Sequence, residues 1–481
     1  MINSSRLDDG AGRGKYSSCS YYDRDWSTLV ASGALDGHSL PDLSTNISTK
    51  ECHQWIYDHS VYKTTIVEEW DLVCRNKYLM STVQSTYMGG LLAGSIYSEL
   101  ADKFGRRTIA LVSMLGFTVA TFSVIFANSY PCFIILRFFV AFFCFGCFLP
   151  CFVILTEVVG TKGRTLMGML YQGFFSIGVM MLAAIAYFVR EWRYLQLCIS
   201  APCLLLGLSY WILPESPRWL MMKGRYQEGL EILTKGAKIN GGSLPQKHEI
   251  AVLLGRMSKE RQQNRPVQTS GLQTVFNFIK SIMSLLRTRN MRRRCLIMFF
   301  TWFTVSMVYY GLAFSGGNIN ASAYVLVLLS GAVEIPSYLL VSWTMNKLGR
   351  RLNLCVLFII CGVACLLIMA VPKDLVWMNI TLATVGKFFN AAAFALVCIY
   401  VTELVPTGVR NAALGTSSAC ARVGSAIAPF IVDLLGEVHY TVPSTVFGLL
   451  SLAAGLLALL LPETGKTRLP ETVEEVEAMP R

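Results

Sequence analysis

A chain of 481 residues that is 53% hydrophobic, 12% aromatic and only 15% charged has too little polar surface to fold as water-soluble domains. Its formal charge of +12 raises nucleic acid as a partner, and the distribution of that charge has to decide the matter. In chain order, residues 1–77 come first, a polar tail with 8 basic and 11 acidic residues. Asp8, Asp9, Asp23 and Asp25, with no apolar run between them, exclude a cleavable signal peptide within residues 1–30. Eleven apolar stretches of membrane-spanning length follow, at 78–98, 108–127, 132–155, 165–189, 194–213, 295–315, 322–342, 353–371, 376–401, 413–435 and 443–461. These elements predict an all-α polytopic membrane protein.

The positive charge alternates with the spans. The segments 101–107, 156–164, 214–294, 343–352, 402–412 and 462–481 hold 28 basic residues, whereas the intervening loops hold Arg190, Arg193 and Lys373. Basic loops stay in the cytoplasm, so the charge needs no nucleic acid or nucleotide partner. The organisation expected is an extracellular tail (1–77), a five-span bundle (78–213), a basic cytoplasmic linker (214–294), a six-span bundle (295–461) and a cytoplasmic tail (462–481). The lipid bilayer is the expected partner, with the plasma membrane as location.

Twelve of the fifteen cysteines fall in or beside apolar spans, where the thiol acts as a small hydrophobe. No CxxC pair or histidine cluster offers a metal site, and no cofactor is expected. Asn3 and Asn46 stand in glycosylation sequons of the tail. The tail also holds Cys19, Cys52 and Cys74, enough for one disulfide with one thiol left over. Cys52 with Cys74 is the pair expected, the other combinations staying open.

An internal repeat sets the architecture. Thr156, Glu157, Val159, Thr161 and Arg164 recur 246 positions on as Thr402, Glu403, Val405, Thr407 and Arg410. Gly105-Arg106-Arg107 recurs as Gly349-Arg350-Arg351, and Pro214-Glu215 as Pro462-Glu463, at offsets of 244 and 248. Two halves running in the same direction require an even number of helices between matching points. Six per half gives the major facilitator fold, two six-helix halves in parallel repeat. Eleven spans are counted, and the first of the first half has no counterpart before residue 78.

The tail reads Cys52-His-Gln-Trp55-Ile-Tyr57-Asp58 and then Trp70-Asp71-Leu72-Val73-Cys74. With Ala101-Asp102-Lys103-Phe104-Gly105-Arg106-Arg107, Pro214-Glu215-Ser216-Pro217-Arg218-Trp219-Leu220, Thr402-Glu403-Leu404-Val405-Pro406-Thr407-Gly408-Val409-Arg410-Asn411 and Pro462-Glu463-Thr464, this resembles solute carrier family 22 over residues 50–465. The family comprises organic cation, carnitine and organic anion transporters. A transmembrane helix and most of a large outer loop precede this point in the family, so the chain resembles an N-terminally truncated member. Ser98 and Lys103 are smaller departures from the wider superfamily's loop motif.

Asp102, Arg106, Arg107, Glu157 and Arg164, with Arg350, Arg351, Glu403 and Arg410, form the candidate gate. A glycine permits a tight turn between helices, and carboxylate–guanidinium bonds at the helix ends can be broken and remade. The same basic residues also keep these loops inside.

Ionisable groups within spans are costly in lipid and point to a substrate route. Arg137, Glu334, Lys387 and Arg422 stand out. Arg422, among Ala419, Ala421, Gly424 and Ser425, must face a cavity or an internal carboxylate; its repeat partner is Ser176. The resemblance implies that this position is arginine in anion and carnitine carriers and acidic in cation carriers. Glu334, two residues before Pro336, either attracts a cation or pairs with Lys387 or Arg422, in a helix expected to kink or loosen at the proline. Arg137 reads as a packing anchor. Phe148, Gln172, Trp302, Tyr309 and Tyr310 match family positions lining the central cavity, and aromatic rings there can hold an ammonium group.

Gly465-Lys466-Thr467 echoes a phosphate-binding loop, but Leu460 replaces the first glycine and a membrane helix precedes it. No nucleophile–histidine–acid constellation is evident, so the chain is not read as an enzyme. The reading that remains is a carrier of small organic ions, an organic cation or a carnitine-like zwitterion, working by alternating access. An organic anion carrier and a truncated, non-transporting regulatory form are the alternatives. A sugar carrier shares Pro-Glu-Ser-Pro-Arg but does not account for Trp70-Asp71-Leu72-Val73-Cys74 or the buried charges.

Overall fold

The computed structural model describes residues 6–7, 15–16, 19–22, 49–159, 161–242, 283, 285–315, 322–372, 375–406, 409–439, 441–465 and 473–478. Asn3 and Asn46 lie outside these residues, as does the Arg164 side chain. Two compact units, Met1–Met80 and Ser81–Arg481, make up the chain.

The first unit carries a few short strands beside the helical body of the chain. Two short antiparallel ladders form there, β1 (Arg6–Leu7) with β2 (Lys15–Tyr16) and β3 (Ser20–Tyr22) with β4 (Thr49–Glu51). The Cys52 N–H donates to the Cys19 carbonyl at 3.0 Å, continuing the second ladder by one residue. The disulfide joins Cys19 to Cys74, with Cα atoms 5.5 Å apart, and Cys52 keeps a free thiol. The expected Cys52–Cys74 pairing is thereby corrected. The β3–β4 register holds Cys19 beside Cys52 on its neighbouring strand, and it is Cys19 that lies at bonding separation from Cys74. Thr65 caps α1 (Ile66–Glu69) by accepting the Glu68 N–H at 3.2 Å. Tyr57 donates to Asp71 at 2.9 Å, and burial with that carboxylate alongside pushes its phenol up to about 12.

The elements described in the second unit are all helices. In chain order its elements are α2 (Tyr78–Ala93), α3 (Tyr97–Phe104), α4 (Arg106–Ile125), α5 (Tyr130–Val158), α6 (Thr161–Phe188), α7 (Trp192–Ser200), α8 (Ser209–Ile212), α9 (Pro217–Lys223) and α10 (Tyr226–Ile239). The second half follows with α11 (Arg289–Phe314), α12 (Ala323–Leu348), α13 (Arg351–Ala370), α14 (Val376–Leu404), α15 (Arg410–Phe430), α16 (Gly436–Val438), α17 (Val442–Ala458) and α18 (Val473–Ala478). Among the described residues, nine helices are long and apolar enough to cross a membrane. The expected span 78–98 is interrupted by a 3-10 turn at Gly94–Ile96, and α17 has 17 residues, which accounts for the difference from eleven. α12 runs continuously through Pro336; beside it, the Ser337 hydroxyl donates to the Glu334 carbonyl at 2.7 Å.

Within the halves α4 packs on α5, α11 on α15 and α13 on α17, while α6 against α12 joins one half to the other. The core of the second half collects Met298, Trp302, Phe358, Leu396 and Tyr400, all fully or nearly buried. Gly331 permits the α6–α12 approach: a Cβ there would lie 2.9 Å from both the Ser176 carbonyl oxygen and Met180.

Candidate functional site: a central charge cluster and two helix-end clasps

That close approach brings Ser176 of α6 to Glu334 of α12. Glu334 and Lys387 are 1% and 4% exposed, so neither has water to solvate it and each depends on protein partners. The Ser176 hydroxyl donates to Glu334 Oε2 at 2.7 Å, and the Tyr309 hydroxyl donates to Oε1. Lys387 Nζ lies 3.5 Å from Oε1, donates to the Tyr309 carbonyl at 3.3 Å and sits 3.0 Å from the centre of the Tyr309 ring. Serine, tyrosine, carboxylate and ammonium thus saturate one another across the two halves. Ser176, the repeat partner of Arg422, is a residue that sequence reasoning named only as a contrast.

Arg422 is not part of this pairing. Its guanidinium lies 5.5 Å from the Phe145 ring of α5, and no carboxylate among the described residues is within ion-pair distance. Tyr310 contacts Tyr309 at 5.2 Å and packs with Tyr87, Phe145 and Ala426 around Met88 and Ala141, again across the halves. Trp302 and Tyr309 both lean on Phe394, at 6.1 and 6.0 Å, and the Trp302 Nε1 has no hydrogen-bond partner among the described residues. Phe148 belongs to a separate aromatic group with Phe152 and Tyr171. Gln172 is half-buried one turn before Ser176 and makes no hydrogen bond among the described residues. Arg137 stacks between Tyr87 and Phe133 at 5.7 Å from each, the packing its position suggested.

At the other end of the helices the repeat is visible as two related clasps. In the first half Arg106 binds Asp102 at 2.7 Å and Glu157 at 3.5 Å, and Ser216 donates to Glu157. In the second half Arg350 binds Glu403 through two nitrogens at 3.1 and 3.2 Å, and Thr464 donates to Glu403. Sequence reasoning set Glu215 and Glu463 aside as repeat markers, yet they hold both clasps. Glu215 accepts the N–H groups of Arg106 and Arg107 at 3.0 and 3.1 Å; Glu463 accepts those of Arg350 and Arg351 at 2.8 and 3.0 Å. Each carboxylate therefore caps the free donors and positive dipole end of a helix.

Gly105 and Gly349, with φ of 105° and 77°, are required twice over: for the backbone angle and because a Cβ would meet Glu215 or Glu463. Burial by itself would raise the Glu463 pKa, but four backbone N–H donors hold it below the ordinary carboxylate value. Its contribution is complete above the usual carboxylate range and disappears as pH falls through the lowered value.

The remaining gate candidates divide. Arg107 donates to the Tyr210 carbonyl at 2.7 Å, and Arg351 engages Glu463 through its backbone, so neither guanidinium takes part in an ion pair among the described residues. Arg410 Nε and Nη2 are buried without a hydrogen-bond partner among the described residues. Both clasps lie within their own halves.

A family profile described as "Sugar (and other) transporter" matches residues 42–476. The chain is 40% identical to the Drosophila melanogaster organic cation transporter protein, over 95% of this chain and 81% of that one. It is 38% identical to mouse solute carrier family 22 member 3, over 86% and 72% respectively. The inward-open xylose transporter XylE from E. coli superposes with a TM-score of 0.61 at 16% identity, covering 83% of this chain and 89% of that one. Fold and sequence agree: the chain belongs to solute carrier family 22 of the major facilitator superfamily and is a multi-pass membrane transporter of the organic cation transporter type.

Proposed function

We propose that this chain carries small organic ions across the plasma membrane by alternating access, and that it prefers a substrate joining an ammonium to an acidic or polar group. The supporting observation is the division of charge at the centre. Glu334 is neutralised by Lys387, whereas Arg422 has no carboxylate partner among the described residues. A substrate carboxylate satisfies that guanidinium by a charge-assisted bond, and the faces of Tyr309 and Tyr310 suit an ammonium. Phe148, Gln172 and Trp302 extend the proposed binding surface, and the two clasps serve as inner gate elements. The basic loops support a cytoplasmic C-terminus and an extracellular N-terminal unit.

The test is uptake of labelled tetraethylammonium, carnitine, a histamine conjugate and an aromatic anion by cells expressing the chain, normalised to surface protein. Carnitine or another amine with a polar end should exceed the aromatic anion. Preference for the anion favours an organic anion carrier, for which the same unpartnered Arg422 speaks; uptake of none of the four contradicts the proposal.

A further inference from the structure

One carboxylate inside a span belongs to neither the central cluster nor the clasps. Asp433, four residues after Pro429, lies in a π-helical segment, Ile431–Leu435, that continues α15. π-Turns in α-helices recur at functional positions, and an ionisable group at membrane depth is costly unless used. Asp433 Oδ2 accepts a hydrogen bond of 2.5 Å from Ser81 of α2, a fully buried side chain of the other half. No lysine, arginine or histidine among the described residues is within ion-pair distance of it.

The face of α15 that carries Asp433 is defined by three contacts with the first half: Arg422 with Phe145, the Ala426 carbonyl with the Ser85 hydroxyl at 2.5 Å, and Asp433 with Ser81. Offsets of four and eleven residues keep all three on one side of a helix, with Asp433 about 16 Å beyond Arg422. It therefore lies at the end away from the Gly-Arg-Arg clasps. There the halves are closed on each other, with Tyr187 of α6 also meeting Tyr324 of α12 edge to face at 5.6 Å.

We infer that Asp433 is the outer recognition carboxylate for the substrate's ammonium group, held by Ser81 while the outer side is closed and released to the incoming cation when the halves part. A neutral amide would accept the Ser81 hydrogen bond equally well. A negative charge at this place serves instead to draw a cation, ahead of an arginine deeper in the same path. The inference rests on the proposed transport of amines and on the outward orientation of this end.

The experiment compares Asp433→Asn with the unsubstituted protein, both in whole cells and normalised to surface amount. Asp433→Asn should raise KM for external tetraethylammonium about tenfold while changing KM for its efflux from preloaded cells less than about twofold, and Asp433→Glu should restore uptake. A role confined to holding the halves together predicts that Asn is tolerated or that both directions suffer equally; either result overturns the inference. Should Asp433→Asn reach the surface poorly, Asp433→Cys is labelled with an impermeant thiol reagent, against the unsubstituted chain as background. Slower labelling in external tetraethylammonium well above the raised KM supports the site, and an unchanged rate at that concentration contradicts it. Unsubstituted protein that carries no amine overturns both readings, whereas normal uptake with an indifferent Asp433→Asn overturns this one alone.

Discussion

Replacing Arg422 with aspartate is expected to turn the transporter toward simple cations. Uptake of carnitine should fall roughly 100-fold relative to tetraethylammonium, equivalent to about 2.7 kcal/mol of discrimination. That magnitude is modest for a charge reversal away from water, where two unit charges 4 Å apart interact by about 4 kcal/mol even at an effective dielectric of 20. It follows from the local partners: with Glu334 committed to Lys387, Arg422 sets the sign of the remaining central charge. Arg422→Gln should give an intermediate ratio, because it removes one charge rather than exchanging it. Ratios of uptake, measured with surface-normalised protein, separate this from misfolding. An unchanged ratio removes Arg422 from the substrate site.

The second large effect is structural. Gly105→Ala places a methyl group where the Glu215 carboxylate sits and forces alanine to φ of 105°. The backbone strain costs on the order of 1–3 kcal/mol, and disturbing hydrogen bonds to a charged group adds about 1.5–3 kcal/mol. Gly349→Ala should behave alike through Glu463, whose Cδ would lie 2.7 Å from the new Cβ. Gly178→Ala is the control, since nothing lies within 4 Å of a Cβ there. Thermal melting of detergent-extracted protein should show both clasp variants markedly less stable and the control unchanged or better. In Glu215→Ala background the cost of Gly105→Ala should shrink, because the displaced group is gone. Equal melting of all three glycine variants would disprove the docking role of the carboxylates.

Much of the fold was legible because lipid imposes a one-dimensional rule: long apolar runs are helices, and a repeat in their connecting loops fixes two related halves. The interrupted span at 78–98 and the 17-residue α17 lie where that rule is weakest, at helices whose length is marginal. Pairings were harder, because they depend on how helices are rotated about their axes. Lys387 and Arg422 were equal candidates for Glu334 until α14 placed the lysine over the Tyr309 ring. Glu215 and Glu463 were visible as repeated residues, but capping is a contact across about a hundred positions with no local signature. Asp433 escaped notice at the edge of a counted span, and Cys19 because β3 and β4, distant in sequence, must pair before it meets Cys74.

The most direct test of the central site uses Arg422→Cys expressed in cells and treated with a small cationic thiol reagent, with the unsubstituted chain measuring reaction at its own cysteines. If Arg422 lines the substrate path, the variant is modified from water and tetraethylammonium, whose binding does not need the guanidinium, slows the reaction in proportion to its occupancy of the site. Absence of modification, or modification at the same rate with saturating tetraethylammonium, contradicts a central site built around Arg422 and the Glu334–Lys387 pair.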